Sequence, residues 1–168
     1  MKNLSKKPSY ISRGPLTNDS SLNIILPTIP TSIIDTGNSN ILSYVIEMET
    51  FPTSGIWNIV LGSIPVEYFT NSDIIYNTSI TAGQNYNLRV SFLNEVGLSE
   101  PSSEFLIKAA NIPNQSNAPI VYLKTFPDPE DSKVYFSWSL PNQNGDAITK
   151  YTIKILGIDN HKYTACSS

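Results

Sequence analysis

Charge is scarce in this chain. Asp, Glu, Lys and Arg make up 15% of its 168 residues, against about a quarter in an average soluble domain, so Asn, Ser and Thr must build much of the surface. The 11 basic and 14 acidic residues leave a formal net charge of −3. That balance supplies no broad cationic field and argues against nucleic acid as a partner; Lys2, Lys6 and Lys7 read as a solvated tail. Cysteine is limited to Cys166 and histidine to His161, which excludes an internal disulfide framework and leaves one place for any histidine-based nucleophile device. No stretch of about 20 apolar residues is available for a membrane helix, so no membrane insertion is expected. The opening residues lack the apolar run of a secretory signal, so an extracellular placement requires a precursor that starts earlier. Nucleotide loops of the G-x-x-x-x-G-K or G-x-G-x-x-G type are missing.

The few clusters with metal-ligand chemistry have plainer readings. Asp159, His161 and Cys166 lack the paired spacing of a zinc site and read as a polar turn. Asp128, Glu130 and Asp131 lack the ordered alternation of a calcium loop and read as solvated acids. Asn144-Gly145-Asp146 is a turn former. No catalytic residue, cofactor or metal ligand is assigned. Four N-x-S/T sequons, at Asn3, Asn18, Asn77 and Asn114, match what chance gives in a chain rich in these residues; Asn77 and Asn114 are the positions that glycosylation would use in a secreted protein.

Alternation is the clearest signal present. Tyr86, Leu88, Val90 and Phe92 fall on one side, and Asn87, Arg89, Ser91 and Leu93 on the other, which is the period of a half-buried strand. Gly83 and Gly97 mark its ends. Ile80, six positions before Tyr86, and the Asn94-x-x-Gly97 turn complete a pattern that resembles the E-F corner and F strand of a fibronectin type III domain, with Ala82 where the family carries a proline. The resemblance implies an all-β, immunoglobulin-like sandwich in which Tyr86 buries its ring and bonds its hydroxyl to backbone, as in a tyrosine corner.

The remaining strands are read around this one. Leu22, Ile24 and Leu26 suit a B strand, and Ile41, Tyr44, Ile46 and Met48 a C strand. Trp57, Ile59 and Leu61 make the next, Ile74 to Ile80 the one before the corner, and Phe105 and Ile107 the last, about seven in all. Leu26 stands where the family's B-strand tryptophan would be, so Trp57 is expected to help close this core. Residues 30–40 read as a long polar loop and 51–54 as a turn. Tyr44, Tyr76, Tyr86, Phe92, Tyr135 and Tyr151 read as core or sheet-face residues in preference to a carbohydrate platform.

Residues 1–19 form a tail and first edge strand, expected to pack on neighbours in a larger assembly. Residues 20–110 make the first domain, 111–118 a linker, and 119–168 the N-terminal portion of a second domain. Ile148-x-x-Tyr151-x-Ile153-x-Ile155 repeats Ile41-x-x-Tyr44-x-Ile46-x-Met48 at an offset of 107 residues, about one sandwich domain. Val134, Phe136 and Trp138 give this copy its B strand, tryptophan included. Counterparts of residues 62–110 do not follow, so the second copy is expected to be a half sandwich. Further chain or strands from a partner would complete it, and residues 113–168 alone are expected not to fold cooperatively.

The resemblance implies a non-catalytic structural or adhesive module in a larger repeat-containing protein, extracellular or at the cell surface. Its partners would be other protein chains or further repeats of the same protein, met through loops 27–40 and 141–147 and through open strand edges. An intracellular scaffold of a cytoskeletal or ciliary assembly, an accessory domain of a secreted hydrolase and a viral surface protein are the alternatives. The residues expected to carry the architecture are Tyr86, Ile80, Leu88, Val90, Gly97, Tyr44, Trp138 and Tyr151.

Overall fold

A computed structural model describes residues 1–49, 54–62, 68–125, 127 and 133–156, and the backbone of 162–167. The chain divides into two compact units, Met1–Asn111 and Ile112–Ser168.

In the first unit, β1 (Ser12–Arg13), β2 (Leu22–Ile25) and β5 (Asp73–Tyr76) make a three-stranded sheet in the order β1-β2-β5. A four-stranded sheet is built from β3 (Ile41–Glu49), β4 (Trp57–Leu61), β6 (Asn85–Asn94) and β7 (Phe105–Lys108), in the order β4-β3-β6-β7. Every pairing is antiparallel. The period of two turns Leu22, Ile24 and Ile74 of one sheet, and Tyr44, Ile46, Leu88, Val90, Phe92 and Ile107 of the other, into a single core in which none is more than 6% exposed. Each such side chain contributes about 1.5–3 kcal/mol by leaving water. The central strand is β6, which pairs Tyr44 with Phe92 and Ile46 with Val90 on one edge, and Tyr86 with Ile107 on the other.

Several expectations need correction. The strand before the corner stops at Tyr76; Thr78 and Ile80 lie beyond it, and Ser79 turns the chain at φ 57. Trp57 does not close the core. Its register partner is Glu49, which places it on the outer face of the sheet, where the Arg89 guanidinium sits 4.2 Å from the ring centre. The core is closed instead by Tyr44 and Phe92, 1% and 3% exposed, with ring centres 5.6 Å apart. The tail lies on its own unit: the Asn3 amide donates to the Gly37 carbonyl (2.8 Å), the Lys6 amide to the Asp35 carbonyl (2.9 Å), and Pro8 is fully buried. A one-turn helix, α1 (Ile33–Thr36), interrupts the stretch read as a long polar loop.

In the second unit, β8 (Ile120–Lys124) pairs with β9 (Lys133–Ser137), and β10 (Tyr151–Leu156) with β11 (Lys162–Ser167), each antiparallel. Trp138 follows β9 and does not lie within it. All five residues of β8 are exposed, Ile120 by 70% and Leu123 by 60%. Tyr122 and Tyr135 stack across the pair at 5.1 Å.

Candidate functional site

One end of the first sandwich gathers three segments around one side chain. Asn94, 2% exposed, closes the turn after β6 by accepting at Oδ1 from the amides of Val96 (2.9 Å) and Gly97 (3.1 Å). Its Nδ2 donates to the carbonyls of Asn3 (2.8 Å) and Thr36 (3.0 Å), so tail, loop 27–40 and turn are fixed together. Gly37 ends α1 in the left-handed region at φ 70, and a Cβ there would meet the Asn3 carbonyl oxygen at 2.3 Å. Only glycine fits.

Lys6 pairs with Asp35 at 2.7 Å and Lys2 with Glu95. The Lys2 hydrogen bond, then its charge, then the Ser39 hydroxyl hold the Glu95 carboxyl below the usual carboxylate range. Beside the Lys2–Glu95 pair lies a cleft of about 640 Å³ lined by Lys2, Ile29, Pro30, Ile33, Ser39 and Glu95 among others. Ile33 and its neighbour Ile34 are 69% and 76% exposed. Two neighbouring large apolar side chains thus stand exposed on a loop tied at Thr36 and Gly37.

The outer face of the four-stranded sheet carries paired polar groups between Trp57, Ile59 and Leu106. Arg89 donates from Nε and Nη2 to the two Glu47 oxygens (2.8 and 3.0 Å) while stacking on Trp57. Asn87 donates to Glu49 (3.0 Å) and Glu104 (2.9 Å). Fork-shaped pairs of this kind orient both partners.

The sequence-chosen residues are distributed as follows. The Tyr86 hydroxyl accepts from the Thr81 amide (2.7 Å) and faces the Ser79 carbonyl (3.4 Å), with the ring only partly buried. Leu88 and Val90 are core, Ile80 packs against that core, and Gly97 takes φ 149. The Tyr44 hydroxyl donates to the Pro27 carbonyl, and burial pushes its pKa up. In the second unit Trp138 and Tyr151 lie 5.2 Å apart, and the Tyr151 hydroxyl is buried without a hydrogen-bond partner. Asn144 and Gly145 turn loop 141–147 at φ 49 and 88. The Asn144 amide group bonds the Ile112 carbonyl (2.7 Å) and Asn114 Oδ1 (2.9 Å), so Asn114 is tethered, whereas Asn77 is exposed. Asp128, Glu130, Asp131, Asp159, His161 and the side chain of Cys166 lie outside the described residues. Among the described residues no group of three or more His, Cys, Asp and Glu is placed to hold a metal, and no helix is long and apolar enough to cross a membrane.

No family model and no curated protein matches the chain. Solved structures do. A human fourth FNIII domain shares 19% identity at a TM-score of 0.52, over 70% of this chain and 89% of that one. This chain has a fibronectin type III-like fold. Titin domains A168-A170 share 21% identity at 0.50 over 65% of this chain, which spans only 33% of theirs. Titin module A71 from human cardiac muscle shares 17% identity at 0.50, over 64% of this chain and 95% of that module. In the fibronectin type III-like frame, Asn94 and α1 occupy the loop end. The Asn94-x-x-Gly97 turn was legible, but no local signal exposes the Asn94 bonds to Asn3 and Thr36 or the Glu47–Arg89 pair, since these partners are dozens of residues away.

Proposed function

We propose that this chain is a non-catalytic protein-interaction and spacing module of a larger assembly. The observation that carries this reading is the loop end. Ile33 and Ile34 stand in solvent on a turn fixed by Asn94, Gly37 and the tail, so a protein partner meets apolar area whose ordering cost is already met in the free state. The charged groups beside it are paired with one another, which suits an uncharged, apolar partner surface. Among the settings raised by the sequence, the fold shared with titin modules favours an intracellular cytoskeletal scaffold over an extracellular adhesive protein. The test is cross-linking mass spectrometry on the native parent polypeptide. Links from Lys2, Lys6 and Lys7 to other chains are expected, together with unmodified Asn77 and Asn114. A monomer with intrachain links alone refutes the module reading, and glycan at Asn77 refutes the intracellular one.

A further inference from the structure

We propose that Asn144-Gly145 is a site of spontaneous covalent modification, at which loss of the Asn144 side-chain amide as ammonia irreversibly opens a latch between loop 141–147 and residues 112–114. The reaction needs no partner and does not rest on the module reading. Asn144 is the only asparagine in the chain that a glycine follows, and glycine is the successor that leaves the main chain most room to close on the side chain before it.

The latch is built on one nitrogen. Asn144 Nδ2 donates to the Ile112 carbonyl (2.7 Å) and to Asn114 Oδ1 (2.9 Å), and the Asn114 amide donates to the Asn142 carbonyl (2.9 Å). The backbone at Asn144 is left-handed, at φ 49, a conformation that asparagine tolerates better than other residues with a side chain. The Gly145 amide, the nucleophile of the reaction, donates to nothing among the described residues.

In the reaction the Gly145 nitrogen gives up its proton and bonds to Asn144 Cγ. The Cγ–Nδ2 bond breaks, and Nδ2 leaves as ammonia with that proton. Water then adds to one of the two carbonyls of the cyclic imide and returns an aspartate, or an isoaspartate whose main chain runs through the former side chain. No oxidant or reductant takes part. A side chain held by both latch bonds is not free to swing onto the Gly145 nitrogen, so the reaction runs from the fraction of molecules in which the latch has opened. Afterwards the latch cannot re-form, because a carboxylate has no proton to donate to the Ile112 carbonyl or to Asn114 Oδ1. The product also adds a negative charge beside Asp146, on one of the two loops read as contact surfaces. The loop therefore undergoes a one-way change of charge and of tethering.

The test follows position 144 by peptide mass spectrometry during long incubation of the full-length protein in neutral buffer, for the parent, for Asn114→Ala and for the parent unfolded in urea. The parent is expected to convert more slowly than the unfolded chain. Asn114→Ala, which lacks one latch bond and keeps the reacting pair, is expected to convert about two- to tenfold faster than the parent. Asn144→Asp, one of the two products made directly, is expected to lose amide-exchange protection at Asn114. The proposal is overturned if the parent stays unconverted once the unfolded chain has reacted fully, or converts as fast as that chain. Equal rates for the parent and Asn114→Ala, or the same protection at Asn114 in the parent and Asn144→Asp, overturn it as well.

Discussion

Tyr44→Phe deletes one oxygen from the middle of the first sandwich and is expected to destabilise that unit by about 1–3 kcal/mol. The ring stays against Phe92, 5.6 Å between centres, so lost packing contributes little. What changes is the Pro27 carbonyl, which loses its donor in a half-buried bond next to a side chain only 1% exposed, where water replaces it less readily than at Tyr86. Tyr86→Phe is the control. Its hydroxyl also bonds backbone, to the Thr81 amide at 2.7 Å, but at an exposed position where water takes its place, so about 0.5–1.5 kcal/mol is expected. For a unit of this size each kcal/mol lowers Tm by roughly 4–8 °C. Urea unfolding followed by Trp57 fluorescence in a Trp138→Phe background reports the first unit alone. Tyr44→Phe within about 0.5 kcal/mol of the parent, or costing less than Tyr86→Phe, refutes the reasoning. The pH dependence gives a second check. Burial raises the pKa of Tyr44 in the folded state, so its contribution is fully present below the unfolded value of about 10 and declines as pH rises through the folded value. Tyr44→Phe should flatten that alkaline decline.

Asn94→Ala removes four hydrogen bonds from a buried site; a loss of about 2–3 kcal/mol and faster proteolysis of residues 1–7 are expected in melting and limited-digestion experiments. Arg89→Lys keeps the charge but loses the fork and the stacking on Trp57, so Trp57 emission should shift while stability falls by about 1 kcal/mol. Glu95 has a lowered pKa; the tether to Lys2 should be present above the ordinary glutamate range and lost as pH falls through the folded value, seen as lower amide protection, relative to the intrinsic exchange rate, over residues 1–6 in acid, which Glu95→Gln should show at every pH. Residues 112–168 alone should melt without a cooperative transition by circular dichroism, since two-stranded pairs are at best marginal by themselves.

Much of the architecture was legible because strands announce themselves by alternation. The run from Tyr86 to Phe92 has only one way to bury its apolar side, and the structure places Leu88, Val90 and Phe92 in the core. Trp57 was misplaced for a physical reason. Size and hydrophobicity favour burial, but the side of a strand a residue occupies depends on register, and the pairing of Trp57 with Glu49 becomes fixed only when β3 and β4 meet. The end of β5 was overrun because Thr78 and Ile80 continue its alternation, while the positive φ of Ser79 carries no residue-type signal. The loop-end site was the least legible. Residues 27–40 were singled out as a contact loop, yet its rigidity comes from Asn3 and Asn94, about 30 and 60 residues away, one through its backbone amide and the other through its side-chain amide, and neither link has a local signal in the sequence.

The way the first residues lie across the loop end has a mechanical consequence. Tension applied at Met1 reaches the sandwich through a few bonds, at Lys2, Asn3 and Lys6 in turn, before the two residue pairs of β1. Bonds loaded in series unzip at low force, whereas the seven paired positions between β3 and β6 share a shear load. A pull from this end is therefore expected to part the tail from the loop that carries Ile33 and Ile34 before the core opens.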